Sequence, residues 1–364
     1  MKRTLIFISC LGCLFLPFLG LYLFFWKGVK IGASLVILFI FFKPQFRQYI
    51  TEKQMVDYNE FGMKRDFSRA DLTPEQVQML NLQTVAEMES LIPQVTLMKL
   101  KRKGSKNPEA DLKNIIGMDV TKEKLNEIVA RIEFNAEVHK KNKQSTIADN
   151  GNHMAFLGNP GTGKTTMARI MTGFLYKNKA IRENKIIEVD GNFVKAGSQT
   201  AKKLRYLISE AKGGVLFIDE AYALMEGIDG REAIDTLMAE MENNRTEFVL
   251  ILAGYTFEMQ SLISSNPGFE SRIKHIIMFP DYTNKELFEI FKTMAKQKGF
   301  IVTRGVFPLF EKRIRQEKGS YFGNARTVRN ILDETIDCHA VNYKFNRISK
   351  ENKFAIMPAD LKLD

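Results

Sequence analysis

One stretch of the sequence combines glycines, a lysine and hydroxyl side chains at the spacing of a phosphate-binding loop. It consists of Gly158, Asn159, Pro160, Gly161, Thr162, Gly163, Lys164, Thr165 and Thr166. Glycines allow backbone N–H groups to close on phosphate oxygens, and the amino terminus of a following helix adds positive potential. The Lys164 ammonium would reach the β- and γ-phosphates, and the Thr165 hydroxyl would coordinate Mg²⁺. The stretch therefore predicts a phosphate site that uses Mg²⁺.

A pair of carboxylates supplies the remaining chemistry of such a site. Asp219 and Glu220 directly follow the apolar run 214–218. At the carboxyl end of a strand beside the phosphate loop, one carboxylate can hold Mg²⁺ or its water shell, and a second can orient and deprotonate an attacking water. We assign the first role to Asp219 and the second to Glu220. An Asp-Glu pair alone is typical of a helix cap, but its combination with Lys164 favours catalysis.

Alternating apolar runs and helix-length segments predict the elements that position these residues. Apolar runs at 154–157, 186–189, 215–218, 248–252 and 276–279 are typical of buried strands. Helix-length segments separate them, as a parallel α/β sheet requires. After Pro280 the segments 283–298, 305–318 and 324–340 have helical spacing instead. The sequence therefore predicts a parallel five-stranded sheet with flanking helices, followed by a small helical subdomain.

The amino-terminal residues predict a membrane anchor. Residues 4–26 carry no charge, and as a helix they would span about 34 Å, slightly more than a ~30 Å hydrocarbon core. A second apolar run, 31–42, would span only about 18 Å. Two topologies stay open: a helical hairpin, which the positive-inside tendency favours, or one span followed by an interfacial segment. A cleaved signal peptide is disfavoured because no small-residue cleavage pattern closes the first run.

Charge and cysteine content narrow the function classes. The 364 residues carry a net charge of +11, but residues 1–50 hold six basic and no acidic side chains, so the remaining chain carries only +5. The basic excess is therefore mostly beside the predicted membrane segments and is poor support for nucleic-acid binding. A basic run at 99–106 fits a solvated linker, with anionic lipid or nucleic acid as alternatives. Three cysteines exclude a disulfide scaffold.

Five ordered motifs carry a family resemblance. They are the strings at 156–166, 213–222, 251–255, 266–272 and 323–326. Together they resemble an AAA+ ATPase module of the branch that contains the red-type Rubisco activases and the stage V sporulation protein K-like ATPases. The resemblance implies a P-loop α/β domain with a carboxyl-terminal helical lid, ATP and Mg²⁺ as cofactors, and assembly into a ring, a hexamer in this family, that acts on a protein client.

The resemblance also implies roles for residues outside the phosphate loop. Ile116 and Gly117 match the segment that walls the adenine pocket. Arg272 matches the arginine finger that reaches the γ-phosphate held by a neighbouring subunit, and Arg326 matches the sensor-2 arginine of the lid. The resemblance therefore adds Arg272 and Arg326 to Glu220 as catalytic candidates.

Two motifs depart from the family pattern. The sensor-1 position, where the wider superfamily favours Asn or Thr, is occupied by the sequence Gly254-Tyr255-Thr256, so the hydroxyl that helps to position water stays open. The loop 192–201, between the second predicted strand and the following helix, matches the family's pore loop. Lys195 occupies the place of the aromatic residue that grips polypeptide there, and Phe193, two residues earlier, is the aromatic residue that could substitute from a shifted position. We therefore expect a client to be pulled or repositioned without being threaded.

These observations predict four regions and one activity. The regions are a membrane anchor (1–43), a stalk or linker with a helix (44–110), the large α/β ATPase domain (111–280) and the helical lid (281–364). We expect an ATP hydrolase at the inner (cytoplasmic) membrane, with its ATPase domain in the cytoplasm, that remodels an unknown protein client. The alternative is a nucleotide-gated assembly scaffold with little turnover. A nucleic-acid motor is disfavoured because no dedicated binding motif is present.

Overall fold

A six-stranded sheet forms the centre of the fold. The computed structural model describes residues 90–141, 151–196, 199–227, 230–319 and 322–362. The strands are β1 (Lys101–Lys103), β2 (Met154–Gly158), β3 (Lys185–Asp190), β4 (Val215–Asp219), β5 (Val249–Gly254) and β6 (His275–Phe279). They lie in the order β1-β3-β4-β5-β2-β6. β2 to β6 are parallel, which confirms the predicted five-stranded parallel sheet.

Helices cover both faces of this sheet. Those of the sheet domain are α1 (Gln94–Leu100), α2 (Pro108–Asn114), α3 (Asp119–Lys141), α4 (Lys164–Lys177), α5 (Gly191–Lys195), α6 (Thr200–Ala211), α7 (Gly230–Asn243), α8 (Thr256–Ser264) and α9 (Pro267–Arg272). Alternate strand residues point to opposite faces: Leu216 and Ile218 pack with α6 and α7, whereas Val215 and Phe217 pack with α3 and α4. The continuous apolar runs are thus explained by burial on both faces.

The lid is a separate helical layer with its own core. Its helices are α10 (Asn284–Gln297), α11 (Val306–Glu317) and α12 (Ala325–Lys344). Two short strands, β7 (Ile301–Val302) after α10 and β8 (Ala355–Ile356) after α12, pair in parallel. Leu287, Phe291, Phe310 and Leu332 are fully buried between the helices. Thr283 and Glu286 form a capping box that starts α10. The predicted helical subdomain is therefore confirmed.

The basic run differs from the solvated linker that the sequence predicts. Lys101–Lys103 pairs antiparallel with β3 at the edge of the sheet, with all three side chains exposed. The preceding Ile92 and Leu97 are buried in the core against α6 and α7. The packed sheet domain thus begins before residue 111, where the sequence placed its boundary.

The predicted anchor lies outside the described residues. Residues 4–26 and 31–42, and residues 44–89 of the predicted stalk, are not among them. Within the described ranges, no helix has the combined length and apolar character needed to cross a bilayer.

Candidate nucleotide site

The phosphate loop lies at the carboxyl end of β2, near the middle of the sheet. Gly161 and Gly163 both have positive φ, 71° and 91°, which favours glycine at these positions. α4 begins directly afterwards at Lys164, and no side chain caps its first turn. The amide N–H groups there can therefore donate to an anion. This local geometry fits a phosphate group.

The Lys164 side chain is buried inside the loop. It is 7% exposed, and its ammonium donates to the carbonyl oxygens of Gly158 at 2.7 Å and Asn159 at 3.0 Å. Burial lowers the pKa of Lys164, while the charges of Asp219 and Glu220 oppose that shift. A buried cation therefore faces two carboxylates across the strand ends.

Those two carboxylates lie where the sequence places them. Asp219 ends β4 and lies beside Asp190, its register partner on the parallel strand β3. Burial raises the pKa of Asp219, and the Lys164 charge partly offsets this. Glu220 follows with a left-handed φ of 50°, and its own pKa is raised chiefly by burial and lowered by a hydrogen bond that Tyr222 donates to it. The structure thus brings Lys164, Asp219 and Glu220 together.

The donor set fits Mg²⁺ held jointly by protein and phosphate. Thr165 and Asp219 are half-buried and offer a hydroxyl and a carboxylate oxygen, the hard ligands that Mg²⁺ prefers. In the described part of the chain, no group of three or more His, Cys, Asp or Glu side chains is arranged to hold a metal by itself. This agrees with Mg²⁺ sites that use one or two protein ligands together with substrate phosphates and water.

A polar network joins the phosphate loop to the lid. Asp281 accepts hydrogen bonds from the Asn159 amide at 3.0 Å and from the Asn324 amide at 2.7 Å. Asn324 is fully buried, also reaches the Pro160 carbonyl at 3.3 Å, and accepts from the Tyr282 N–H at 3.0 Å. The Ala325 N–H donates to the Gly161 carbonyl at 3.3 Å. Loop and lid are therefore joined by hydrogen bonds that centre on the buried Asn324.

The predicted lid arginine lies close enough to act on this site. Arg326 is exposed, and its charge acts on Lys164 and Asp219, lowering the pKa of each. Among the described residues, its guanidinium has no hydrogen-bond or ion-pair partner. Arg326 is thus available to an anionic ligand between loop and lid.

The segment predicted to wall the adenine pocket packs on the lid. Ile116 is half-buried against the lid core, and its neighbour Ile115 packs against both the lid core and a core of the sheet domain. Gly117 has a φ of 60° and lies against the side chain of Glu286. The segment therefore lies at the junction of the two layers.

Arg272 lies at the other end of the strands. Arg272 ends α9, shortly before β6 begins. β6 pairs in parallel with β2, so that His275 lies beside Met154 and Phe279 lies beside Gly158. That length of strand is about 13 Å. Arg272 pairs with Glu242 at 3.0 Å and donates to the Gly268 carbonyl at 2.7 Å. The structure therefore does not bring Arg272 to the phosphate loop of its own chain.

Comparisons with known proteins agree with this geometry. Residues 154–281 match the model of the ATPase family associated with various cellular activities (AAA), and residues 283–364 match the AAA lid domain. The stage V sporulation protein K of Bacillus subtilis is 36% identical over 65% of this chain and 76% of its own length. The chain belongs to the AAA family of ATPases. It therefore binds and hydrolyses ATP, with Mg²⁺.

One further relative and one solved structure are similar to this AAA ATPase. The chloroplastic ribulose bisphosphate carboxylase/oxygenase activase of Cyanidioschyzon merolae is 38% identical over 61% of this chain and 77% of its own length. Together with the sporulation protein it confirms the branch that the motifs indicate. The crystal structure of the FIGL-1 AAA domain in complex with ADP aligns with a TM-score of 0.52 at 18% identity, over 75% of this chain and 88% of that chain. This likeness shows the fold.

Three residues around the AAA site were missed by the sequence analysis. Asp281 follows the carboxyl end of β6 just as Asp219 ends β4, so the strand-end rule that found Asp219 could have found it. Asn324 lies inside the motif 323–326 but was not assigned a role. Tyr222 lies inside the motif 213–222 and directly contacts Glu220.

The sensor-1 position and Lys195, the two departures from the family pattern, have identified neighbours in this AAA protein. The rings of Tyr222 and Tyr255 lie 5.8 Å apart at the end of β5. Lys195 pairs with Glu226 at 2.6 Å, and Phe193 is 37% exposed. Within the described residues, the predicted pore-loop cation is thus already held by a carboxylate.

Proposed function

We propose that this AAA ATPase works as a ring, as a hexamer, in which each nucleotide site is completed by Arg272 of a neighbouring copy. The position of Arg272 carries this proposal. It lies at the amino ends of the parallel strands, paired with Glu242, whereas the phosphate loop follows the carboxyl end of β2. One chain therefore supplies Lys164, Asp219 and Glu220 but not the arginine.

The residues divide the hydrolytic work between them. Lys164, the N–H groups of α4 and Arg326 hold the phosphates, and Thr165 and Asp219 hold Mg²⁺, which neutralises phosphate charge when bound. Glu220 takes the proton from a water whose oxygen attacks the γ-phosphorus. The bond to the bridging oxygen breaks, and ADP leaves with that electron pair. A base of this kind contributes about 10²- to 10⁴-fold in rate.

The client of this ATPase is proposed to be a protein near the cytoplasmic face of the inner membrane. Support for the location comes from the uncharged run 4–26 and the basic residues around it. The related activase is named for a client enzyme, but nothing in this chain points to that enzyme. Hydrolysis would drive a rearrangement of the client rather than its passage through the ring, since Lys195 cannot supply the apolar grip of an aromatic ring.

A capture experiment tests this proposal. Glu220→Gln, loaded with ATP, should retain its client on membranes, whereas Lys164→Ala should retain none because it does not bind ATP. The captured protein, purified, should then raise the turnover of the wild-type ATPase several-fold. A client that binds without changing turnover would instead support the nucleotide-gated scaffold, and stimulation by DNA alone would support a nucleic-acid motor.

A further inference from the structure

Among the residues that the structure describes, the Glu220 carboxylate accepts one side-chain hydrogen bond, and the hydrolysis scheme above assigns it no role. The Tyr222 hydroxyl donates a hydrogen bond to the Oε2 atom of Glu220. Glu220 has a left-handed φ of 50°, an uncommon conformation for a residue with a side chain, and a short 3₁₀ helix, Ala221–Met225, follows it. The turn thus places Tyr222 where its hydroxyl reaches back to the carboxylate.

The neighbouring strand leaves space for the Tyr222 ring. Gly254 ends β5, and a Cβ atom built there would lie 2.8 Å from Cδ1 of Tyr222 and 2.9 Å from Cγ of Met259. Gly254 does not have a positive φ, so its backbone conformation does not require glycine. The constraint on this position is therefore the ring of Tyr222 and the side chain of Met259.

The charges around Glu220 explain why a neutral donor matters there. Burial chiefly raises the pKa of Glu220, and Asp219 and Asp190 add to that rise, whereas the hydrogen bond from Tyr222 and the charge of Lys164 lower it. Burial and the nearby Glu220 raise the pKa of Tyr222 itself, and Tyr255 and Glu258 add to that shift. Tyr222 therefore stays protonated and keeps donating across the physiological range.

We propose that Tyr222 is the positioning residue for Glu220, and that Gly254 is small so that the tyrosine ring can lie across the end of β5. The hydroxyl fixes one carboxylate oxygen and leaves the other oriented toward the attacking water. Tyr222 acts through Glu220 and not on the phosphate directly. The inference rests on the role of Glu220 in the proposed function.

Tyr222→Phe keeps the ring and removes only the hydroxyl, so it tests the proposal without opening a cavity. We expect kcat to fall by about 10- to 100-fold, the factor that corresponds to a lost hydrogen bond to a charged group. KM and the affinity for ATP should stay within about twofold. A fall in kcat with KM and ATP affinity unchanged separates a positioning role from a structural one. Tyr176→Phe, an exposed tyrosine on α4, should change none of these values.

Gly254→Ala is the second variant, since it leaves Tyr222 in the sequence but displaces its ring. It should reduce kcat while KM and the affinity for ATP stay within about twofold. The double variant Tyr222→Phe, Gly254→Ala should be about as slow as the slower single variant, because both changes remove the same contact. Fully multiplied losses in the double variant would overturn the proposal.

Glu220→Gln separates failure of this inference from failure of the hydrolysis scheme. A stalled Glu220→Gln beside a Tyr222→Phe enzyme with unchanged kcat would overturn the positioning role alone. A fall in kcat accompanied by weakened ATP binding would also overturn it, because that result fits a merely structural tyrosine. Wild-type turnover by Glu220→Gln would instead contradict the role of Glu220 itself.

Discussion

At the scale of single residues, substitutions of Lys164 and Glu220 are expected to impair different steps, ATP binding and ATP hydrolysis. Lys164 is buried within the loop that is assigned to phosphate, whereas Glu220 is assigned to the attacking water. Lys164→Ala should lose ATP binding. Glu220→Gln should bind ATP normally and hydrolyse it about 10²- to 10⁴-fold more slowly. Binding of a fluorescent nucleotide and release of phosphate measure the two effects separately.

Matched surface variants make this comparison specific. Lys179→Ala and Glu123→Gln change exposed residues of the same types, and both should behave as wild type. A Lys164→Ala protein that binds ATP at wild-type affinity would contradict the assignment of the buried ammonium to the phosphates.

Part of the site was predictable at this scale because its geometry is local. A glycine-rich turn between a strand and a helix, and carboxylates at a strand end, place Lys164, Thr165 and Asp219 by chain connectivity alone. Tyr222 was not predictable in this way. Its contact with Glu220 depends on a left-handed turn and on the space beside Gly254, which belongs to a strand distant in sequence.

At the scale of elements, the helix before β1 is expected to be part of the ATPase core. Leu97 is 1% exposed, whereas Val95 on the same helix is 68% exposed. Leu97→Ala should lower the free energy of unfolding by about 2–5 kcal/mol, and Val95→Ala should change it by less than about 0.5 kcal/mol. Urea unfolding followed by circular dichroism compares the two. Equal, small effects would show that α1 is not packed on the sheet.

The elements differed in how well the sequence predicted them. β2 to β6 were predicted because strands buried on both faces are continuous apolar runs between helix-length segments. β1 was missed because Lys101–Lys103 has three exposed side chains and pairs with β3 only through its backbone. An edge strand of this kind leaves no apolar pattern to find.

The turn that starts α12 is expected to govern ATP affinity. The Asn324 amide donates to Asp281 and to the Pro160 carbonyl, so Asn324→Ala removes part of the hydrogen bonding between lid and phosphate loop. It also leaves the buried Tyr282 N–H without its acceptor. We expect ATP binding to weaken by about 10-fold, which corresponds to about 1.4 kcal/mol. Asn346→Ala, at an exposed position with a similar positive φ of 55°, is the control and should bind normally; equal affinities would contradict the link.

At the scale of the whole molecule, the proposed ring requires that one chain holds two incomplete halves of a site. The phosphate loop, Asp219 and Glu220 would form one half at the carboxyl ends of the strands. Arg272, which pairs with Glu242 at their amino ends, would form the other half. The sequence indicated both halves but could not show their separation, which follows from the parallel register of β2 and β6.

Mixing two inactive variants tests the shared site most directly. Arg272→Ala keeps an intact phosphate loop, and Glu220→Gln keeps an intact arginine, so each alone should be nearly inert; an arginine finger contributes about 10³- to 10⁵-fold in rate. In a mixed ring, an Arg272→Ala subunit beside a Glu220→Gln subunit forms a complete site. We predict that ATP hydrolysis reappears on mixing and peaks near equal proportions. A mixture that co-purifies as one assembly yet stays as inert as its components would contradict the account.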